Sequence, residues 1–192
     1  MTTPQGRQRP AGLVVGSTVA LVFGTVFVFA NSGGLDAPWP LVIRALAVLV
    51  ALLLVAALVV TVHSGASATG ESPGDPIDRR YWLIVALEGV ALFGGLAVIN
   101  GVLHRSAVAV AWVALVVGVH FFGLARIWHL PLFHWLGAVM TVLGLAGFLI
   151  SALGGTAPTV ALVAGVGSGA ALYAAVAVAV AGALRGQRPD AP

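Results

Sequence analysis

Six apolar stretches, each long enough to cross a bilayer as a helix, follow one another along this chain. A spanning helix needs about 20 mostly apolar residues. Backbone polar groups must be bonded to each other inside lipid, and the stretches lack the alternation that is typical of barrel strands. The pattern therefore predicts an all-α polytopic membrane helix bundle with six transmembrane helices. The predicted spans cover residues 11–30, 40–62, 81–103, 106–127, 132–153 and 157–184.

Turn-forming or polar segments separate the spans. Gly and Pro occur in NSGGLDAPWP at 31–40 and in GGTAP at 154–158, and HRS at 104–106 predicts a tight hairpin. The only long polar segment is the loop 63–80. The apolar run of the first span, about 18 residues, is longer than that of a signal peptide, so this span is expected to be retained. One transmembrane domain is predicted over 11–184, with tails at 1–10 and 185–192.

Composition places the chain in a bilayer rather than in water. Hydrophobic residues make up 60% of the 192 residues, charged residues make up 8%, and the mean hydropathy is +1.07. A soluble domain is about a quarter charged, and so few charges would leave its apolar surface uncovered. The lipid bilayer is therefore the first predicted partner, and a second copy of the chain or another membrane protein is a further one.

The absence of cysteine and the scatter of the arginines exclude several classes of function. A chain without cysteine has no disulfide, thiolate metal site, iron–sulfur cluster or cysteine nucleophile. All nine basic residues are arginines, placed singly or in pairs, so the net charge of +3 does not predict a nucleic-acid partner. Arginine without lysine, together with abundant Ala, Val and Gly, is typical of a GC-rich bacterial genome. The predicted location is the bacterial plasma membrane.

The arginines also predict the orientation of the spans. Positive charges concentrate in the cytoplasmic loops of membrane proteins. Only Arg44 and Arg105 fall toward the other side, and Arg44 is expected to extend its side chain to the membrane surface. Both termini and the loop 63–80 are therefore predicted to be cytoplasmic. The arginines on that side are Arg7, Arg9, Arg79, Arg80, Arg126, Arg185 and Arg188.

Small residues predict close packing of the helices. Gly12 and Gly16 stand four residues apart, as do Gly165 and Gly169, and this spacing lets helix backbones approach each other. The other glycines expected to form small faces lie in spans three and five and are Gly94, Gly95, Gly137, Gly144 and Gly147.

Glu88 is an acidic residue inside a predicted span, about 10 Å from Tyr81 along the helix. It stands sixteen residues before His104, and His120 stands fifteen residues after Arg105. Antiparallel helices joined by a short turn bring residues equidistant from that turn to the same depth. We therefore expect Glu88 and His120 to contact each other between spans three and four.

The predicted polar site inside the membrane comprises Glu88, His120 and Arg126. An ionised carboxylate at this depth costs free energy unless it has a partner, and a Glu–His pair can share one proton. Arg126 lies about 9 Å along the helix from His120 and can reach a lipid phosphate, a helix C-terminus or Glu88. The pair is either a structural bond between helices or a titratable site in a small cytoplasmic pocket.

Four further polar residues are secondary candidates. His129 and His134 flank Pro131 and are expected to be interfacial side chains with solvated tips. Asn100 and His104 stand four residues apart, on one face of span three near its outer end. These two would form a small polar mouth or cap the hairpin.

Three classes of function fit this pattern. Proton-coupled transport of a small solute or ion would use the Glu88–His120 pair. A non-catalytic assembly or regulatory component of the membrane would use it as a structural bond. A haem or divalent metal site would combine that pair with His129 and His134, but the spacing H-x8-H-x4-H matches no ligand signature. No cofactor is therefore predicted, although haem or a metal stays an alternative.

No enzymatic activity is predicted. Val166-Gly167-Ser168-Gly169 is similar to the Gly-x-Ser-Gly segment of rhomboid proteases, with Val in place of the first Gly. A serine nucleophile needs an adjacent base. Every histidine of this chain precedes Ser168, which reverses the order found in those proteases.

The segment Val117-Gly118-Val119-His120-Phe121-Phe122-Gly123-Leu124-Ala125 resembles the VG-x-HF-x-x-LA segment of uncharacterised bacterial multi-pass membrane proteins. Those proteins also carry an acidic residue in the preceding span, and the resemblance covers about 70 residues in spans three to five. It implies that Glu88 and His120 act as a unit, and it implies no particular activity. This chain departs from the pattern at Gly123, where the pattern has Pro.

Overall fold

The computed structural model describes residues 11–64 and 79–185. Within these ranges the chain forms six long helices and no strand, which confirms the predicted all-α membrane bundle. All six helices are long and apolar enough to span a bilayer. They are α1 Ala11–Asn31, α2 Trp39–His63, α3 Arg79–Val102, α4 Ser106–Trp128, α5 Pro131–Ala152 and α6 Ala157–Arg185.

The helix ends lie within two residues of the predicted span ends, because Gly, Pro and polar residues interrupt the apolar runs at the same places. Pro131 occupies the first turn of α5, where its missing N–H does not break a helical hydrogen bond. The predicted tails, most of the loop 63–80 and the arginines Arg7, Arg9 and Arg188 lie outside the described residues. The predicted N-in/C-in orientation therefore stays a prediction.

Four of the helices, α1, α4, α5 and α6, form the centre of the bundle. Phe27 of α1, Met140 of α5 and Leu172 of α6 belong to one buried cluster, and the apolar face of α4 packs against it. The helix α2 packs against α1 and α6, and α3 packs mainly against α4. Between Arg79 and Ala97 no residue of α3 is buried. The helix α3 is therefore held to the bundle largely through one neighbour.

Glycines bring the backbones of α4 and α5 into direct contact. A Cβ atom added to Gly118 would lie 2.6 Å from the backbone nitrogen of Thr141. A Cβ atom added to Gly144 would lie 2.7 Å from the backbone nitrogen of Leu115. Real Cβ atoms do not approach backbone so closely, so the predicted small face of span five, which includes Gly137, is an interhelical contact.

The two predicted glycine pairs behave differently. Gly169 of α6 lies against Gly24 of α1, and a Cβ on it would come within 2.7 Å of the Gly24 carbonyl oxygen. Gly165 lies against Asn31 in the same way. Gly12 and Gly16 have no such neighbour within 4 Å among the described residues, so the prediction that this pair packs closely against another of these helices is wrong. Their spacing is right for packing, but the rotation of α1 turns them away from the bundle.

The predicted shared face of Asn100 and His104 is also wrong. The last turn of α3, Val98–Val102, is π-helical, and His104 lies beyond the helix with a left-handed backbone (φ 51°). A π turn holds more residues than an α turn, so positions four apart no longer line up. The Asn100 side chain donates a hydrogen bond to the Leu96 carbonyl oxygen (3.0 Å). The two residues therefore form no common mouth.

Arg44 extends toward the end of α1 and the connection that follows it. Its Nε donates to Ser32 Oγ (3.0 Å), and its Nη2 donates to the Phe29 carbonyl oxygen (3.1 Å). The guanidinium also lies 5.6 Å from the centroid of the Phe29 ring. The last carbonyl groups of a helix have no partner within that helix, so Arg44 caps α1 from a neighbouring span.

Replacing Arg44 with Gln is expected to lower the free energy of unfolding by about 2 kcal/mol, because two charge-assisted hydrogen bonds are lost. Unfolding in detergent micelles, followed by far-UV circular dichroism, measures the change. Arg105→Gln is the matched control, since Arg105 is exposed at the same end of the bundle. Equal effects of the two substitutions would contradict the capping role.

Candidate functional site

A series of side-chain contacts joins α3 to α4 along most of their length. Tyr81 and Trp128 stack with ring centroids 5.9 Å apart at one end. Further along, Trp112 Nε1 donates a hydrogen bond to the Ala91 carbonyl oxygen (3.1 Å). Between these contacts Ile84 lies over Gly123, where a Cβ would come within 2.9 Å of its Cδ1. As the α3 residue number rises, the α4 partner number falls in step, as the short hairpin predicts.

Glu88 and His120 contact each other in the middle of this series. His120 Nδ1 lies 3.0 Å from Glu88 Oε2, which confirms the predicted contact between spans three and four. The side chains keep exposures of 12% for His120 and 22% for Glu88. The pair is thus neither sealed in the protein nor open on the lipid surface.

The contact is an ion pair only when His120 is protonated and Glu88 is ionised, and its geometry is not that of an aligned hydrogen bond. His120 Nδ1 is buried, and none of the described residues partners it in hydrogen-bond geometry, even though Glu88 Oε2 is within reach. A hydrogen bond weakens steeply as it departs from alignment, so a bond that served only to hold two helices together would be expected to be aligned. His120 therefore keeps hydrogen-bonding capacity that the described residues do not use.

Arg126, the third member of the predicted site, lies elsewhere. It lines an open cleft of about 530 Å³ together with Ala125, His129, Pro131 and His134. Glu88 and His120 do not line this cleft. The structure therefore divides the predicted polar residues into two groups, one inside the α3–α4 interface and one at the turn from α4 to α5.

The backbone of His129 is a feature of this turn that the sequence did not predict. His129 ends α4 in the left-handed conformation (φ 52°, ψ 34°). Glycine or asparagine usually occupies such a position because other side chains are strained there. Sequence offers no signal for it beyond the proximity of Pro131, which stops α4 from continuing.

Among the described residues, the side chains considered for a metal ion or for a serine nucleophile do not come together as those sites require. Over residues 11–64 and 79–185, no group of three or more His, Asp or Glu side chains comes together as metal ligands do. Ser168 is fully buried in α6, and its hydroxyl has no hydrogen-bond partner in the described ranges, so no base is placed to activate it. No family model matches the chain, and neither a curated protein nor a solved structure matches it.

Proposed function

We propose that Glu88 and His120 form a proton-exchanging site in a multi-pass membrane protein that transports a small solute or an ion coupled to protons. The observation that carries this proposal is the 3.0 Å approach of His120 Nδ1 to Glu88 Oε2 between two membrane-spanning helices. The proposal places the protein in the bacterial plasma membrane, with no enzymatic activity and no resident cofactor.

The chemistry of the pair supports this role. Histidine is the side chain whose ordinary pKa lies nearest physiological pH, and a carboxylate beside it can hold or release the shared proton. Ionisable groups within spans line the proton paths of pumps and carriers. Glu88 is the only acidic residue in the described spans, so a change in its charge has no nearby carboxylate to compensate it.

The packing of α3 supports coupling between protonation and movement. Among the described helices, α3 has the smallest share of buried residues, and it packs mainly against α4. Protonating Glu88 removes its negative charge, and with it the attraction to a protonated His120, from the middle of their interface. A change of charge there acts directly on the contact that holds α3, and this is how a proton site can bias two helix arrangements.

A second candidate function is a non-catalytic membrane component in which the pair serves as a structural bond. The hydrogen bond from Trp112 to Ala91 and the stacking of Tyr81 on Trp128 favour it. Both contacts hold the same helices together in a fixed register, and neither involves a carboxylate or an imidazole.

Proton flux into sealed proteoliposomes tests the proposal. The full chain is reconstituted with a pH-sensitive dye inside, and a potassium gradient with valinomycin imposes an inward-driving potential. We expect proton uptake well above that of protein-free vesicles, and we expect Glu88→Gln to return the rate to the protein-free level. Asp36→Asn is the matched control, because Asp36 lies in the connection between α1 and α2.

Circular dichroism of each reconstituted variant establishes that the helices are intact. Wild-type flux equal to that of empty vesicles would overturn the proposal, as would a folded Glu88→Gln variant with wild-type flux. Either result would leave the structural role of the pair as the better account.

A further inference from the structure

The cleft at the turn from α4 to α5 is a second polar feature, separate from the Glu88–His120 pair. Three of its five lining residues, Arg126, His129 and His134, carry groups that are cationic or become so on protonation. All three are exposed. The His134 ring lies against Phe122 of α4, with centroids 6.3 Å apart, so α5 holds it beside the turn.

No carboxylate in the described ranges neutralises this cleft. The acidic residues of those ranges are Asp36 and Glu88. Asp36 lies in the connection between α1 and α2, at the opposite end of the bundle, and Glu88 faces His120. The first turn of α5 adds partial positive charge, and the side chain that precedes it, Leu130, does not cap it. The groups that the described residues place at the cleft are therefore positive or neutral.

The position of the cleft places it at the level of lipid headgroups. It forms where α4 ends at Trp128 and α5 begins at Pro131. Trp135 is exposed on the first turns of α5, and the half-buried Trp128 ends α4. Tryptophan concentrates at the boundary between hydrocarbon and headgroups. A ligand in this cleft therefore lies at the level of the lipid phosphates.

We propose that this cleft binds the phosphate group of an anionic phospholipid. The guanidinium of Arg126 presents paired N–H donors that match phosphate oxygens. The imidazoles of His129 and His134 supply further donors from the two sides of Pro131. Basic pockets between spans are how membrane proteins recognise anionic headgroups. This site does not depend on the proton-exchange function proposed above.

The left-handed backbone of His129 allows a test variant that removes the side chain without straining the turn. Glycine adopts this conformation without strain, so His129→Gly removes the imidazole and leaves the turn at least as stable. We expect this variant to keep or raise its unfolding temperature without lipid and to bind anionic lipid more weakly. A purely structural role of His129 would give no loss of lipid binding.

The experiment measures the thermal unfolding midpoint of the full chain in a neutral detergent, by tryptophan fluorescence, during titration with short-chain phospholipid. The probes are phosphatidylglycerol, phosphatidylcholine and sodium phosphate, the last compared with sodium chloride at equal ionic strength. We expect phosphatidylglycerol to raise the midpoint most. Arg126→Gln should weaken its binding about tenfold, the value of one charge-assisted hydrogen bond.

Arg185→Gln is the matched control, because Arg185 is exposed at the same end of the bundle in the last turn of α6. Unchanged binding in this variant supports the cleft as the site. Equal losses in Arg185→Gln and Arg126→Gln would overturn the proposal, since general surface charge would then explain the effect. Stabilisation by sodium phosphate equal to that by phosphatidylglycerol would assign a free phosphate instead of a lipid and would also overturn it.

Discussion

Gly118→Ala and Gly144→Ala are each expected to lower the free energy of unfolding by about 2–3 kcal/mol. The added methyl groups would meet the backbone nitrogens of Thr141 and Leu115 at 2.6 and 2.7 Å. Backbone cannot rotate away as a side chain can, so α4 and α5 must separate and lose packing along their whole contact. Titration of an anionic detergent into mild-detergent micelles, followed by circular dichroism, measures the effect.

Gly16→Ala and Gly94→Ala are the matched controls. A Cβ at either position meets nothing within 4 Å, and alanine favours a helix over glycine by about 1 kcal/mol. We expect these variants to be as stable as the wild type or slightly more stable. Destabilisation of the controls to the same extent as Gly118→Ala would show that the close α4–α5 contact is not what makes these glycines necessary.

His120→Ala is expected to lower the free energy of unfolding by about 2 kcal/mol, whereas Glu88→Gln is expected to cost less than about 1 kcal/mol. The asymmetry has a physical cause. Removing the histidine leaves a carboxylate in the membrane without its partner, whereas in Glu88→Gln the imidazole can release its proton and remain neutral beside the glutamine. The effect stays below that of a sealed ion pair because 22% of the Glu88 side chain is exposed.

A double-mutant cycle separates the pair from the rest of the interface. In the Glu88→Gln background, His120→Ala should lower the free energy of unfolding by about 1–2 kcal/mol less than it does in the wild type. The reason is that the carboxylate, which His120→Ala would leave without a partner, is already absent. His134→Ala serves as the control histidine, since it lies in the cleft away from Glu88. Independent, additive effects of Glu88→Gln and His120→Ala would contradict a direct interaction.

The α3–α4 register could be predicted because a short hairpin leaves little freedom. The two helices are adjacent in sequence, and their turn at 103–105 sets which residues share a depth. Depth alone would not bring Glu88 and His120 together, but each is the polar residue in an apolar stretch and avoids lipid. Topology and desolvation therefore point to the same contact, and the structure contains it.

The partners of the arginines could not be predicted in this way. Arg44 contacts Ser32 and Phe29, which belong to the end of a different span and to the connection after it. Arg126 joins His129 and His134 because α4 ends in a left-handed residue and α5 begins at once. The expected pocket shared by Arg126 and Glu88 depended on the rotation of α4, which hydropathy does not encode.

The number of apolar helices, their ends and the residues of α3 and α4 that share a depth all follow from the amino-acid sequence alone. These properties depend on the length of apolar runs and on short turns, which are local. Packing between the helices sets which glycines touch a neighbour and where the side chains of Arg44 and Arg126 reach. It also sets the direction in which residues face after the π turns Val98–Val102 and Ala161–Val166. One extra residue in a turn rotates the rest of the helix by about 100°. Facing directions therefore depend on packing between helices that are distant in sequence, and no local pattern encodes it.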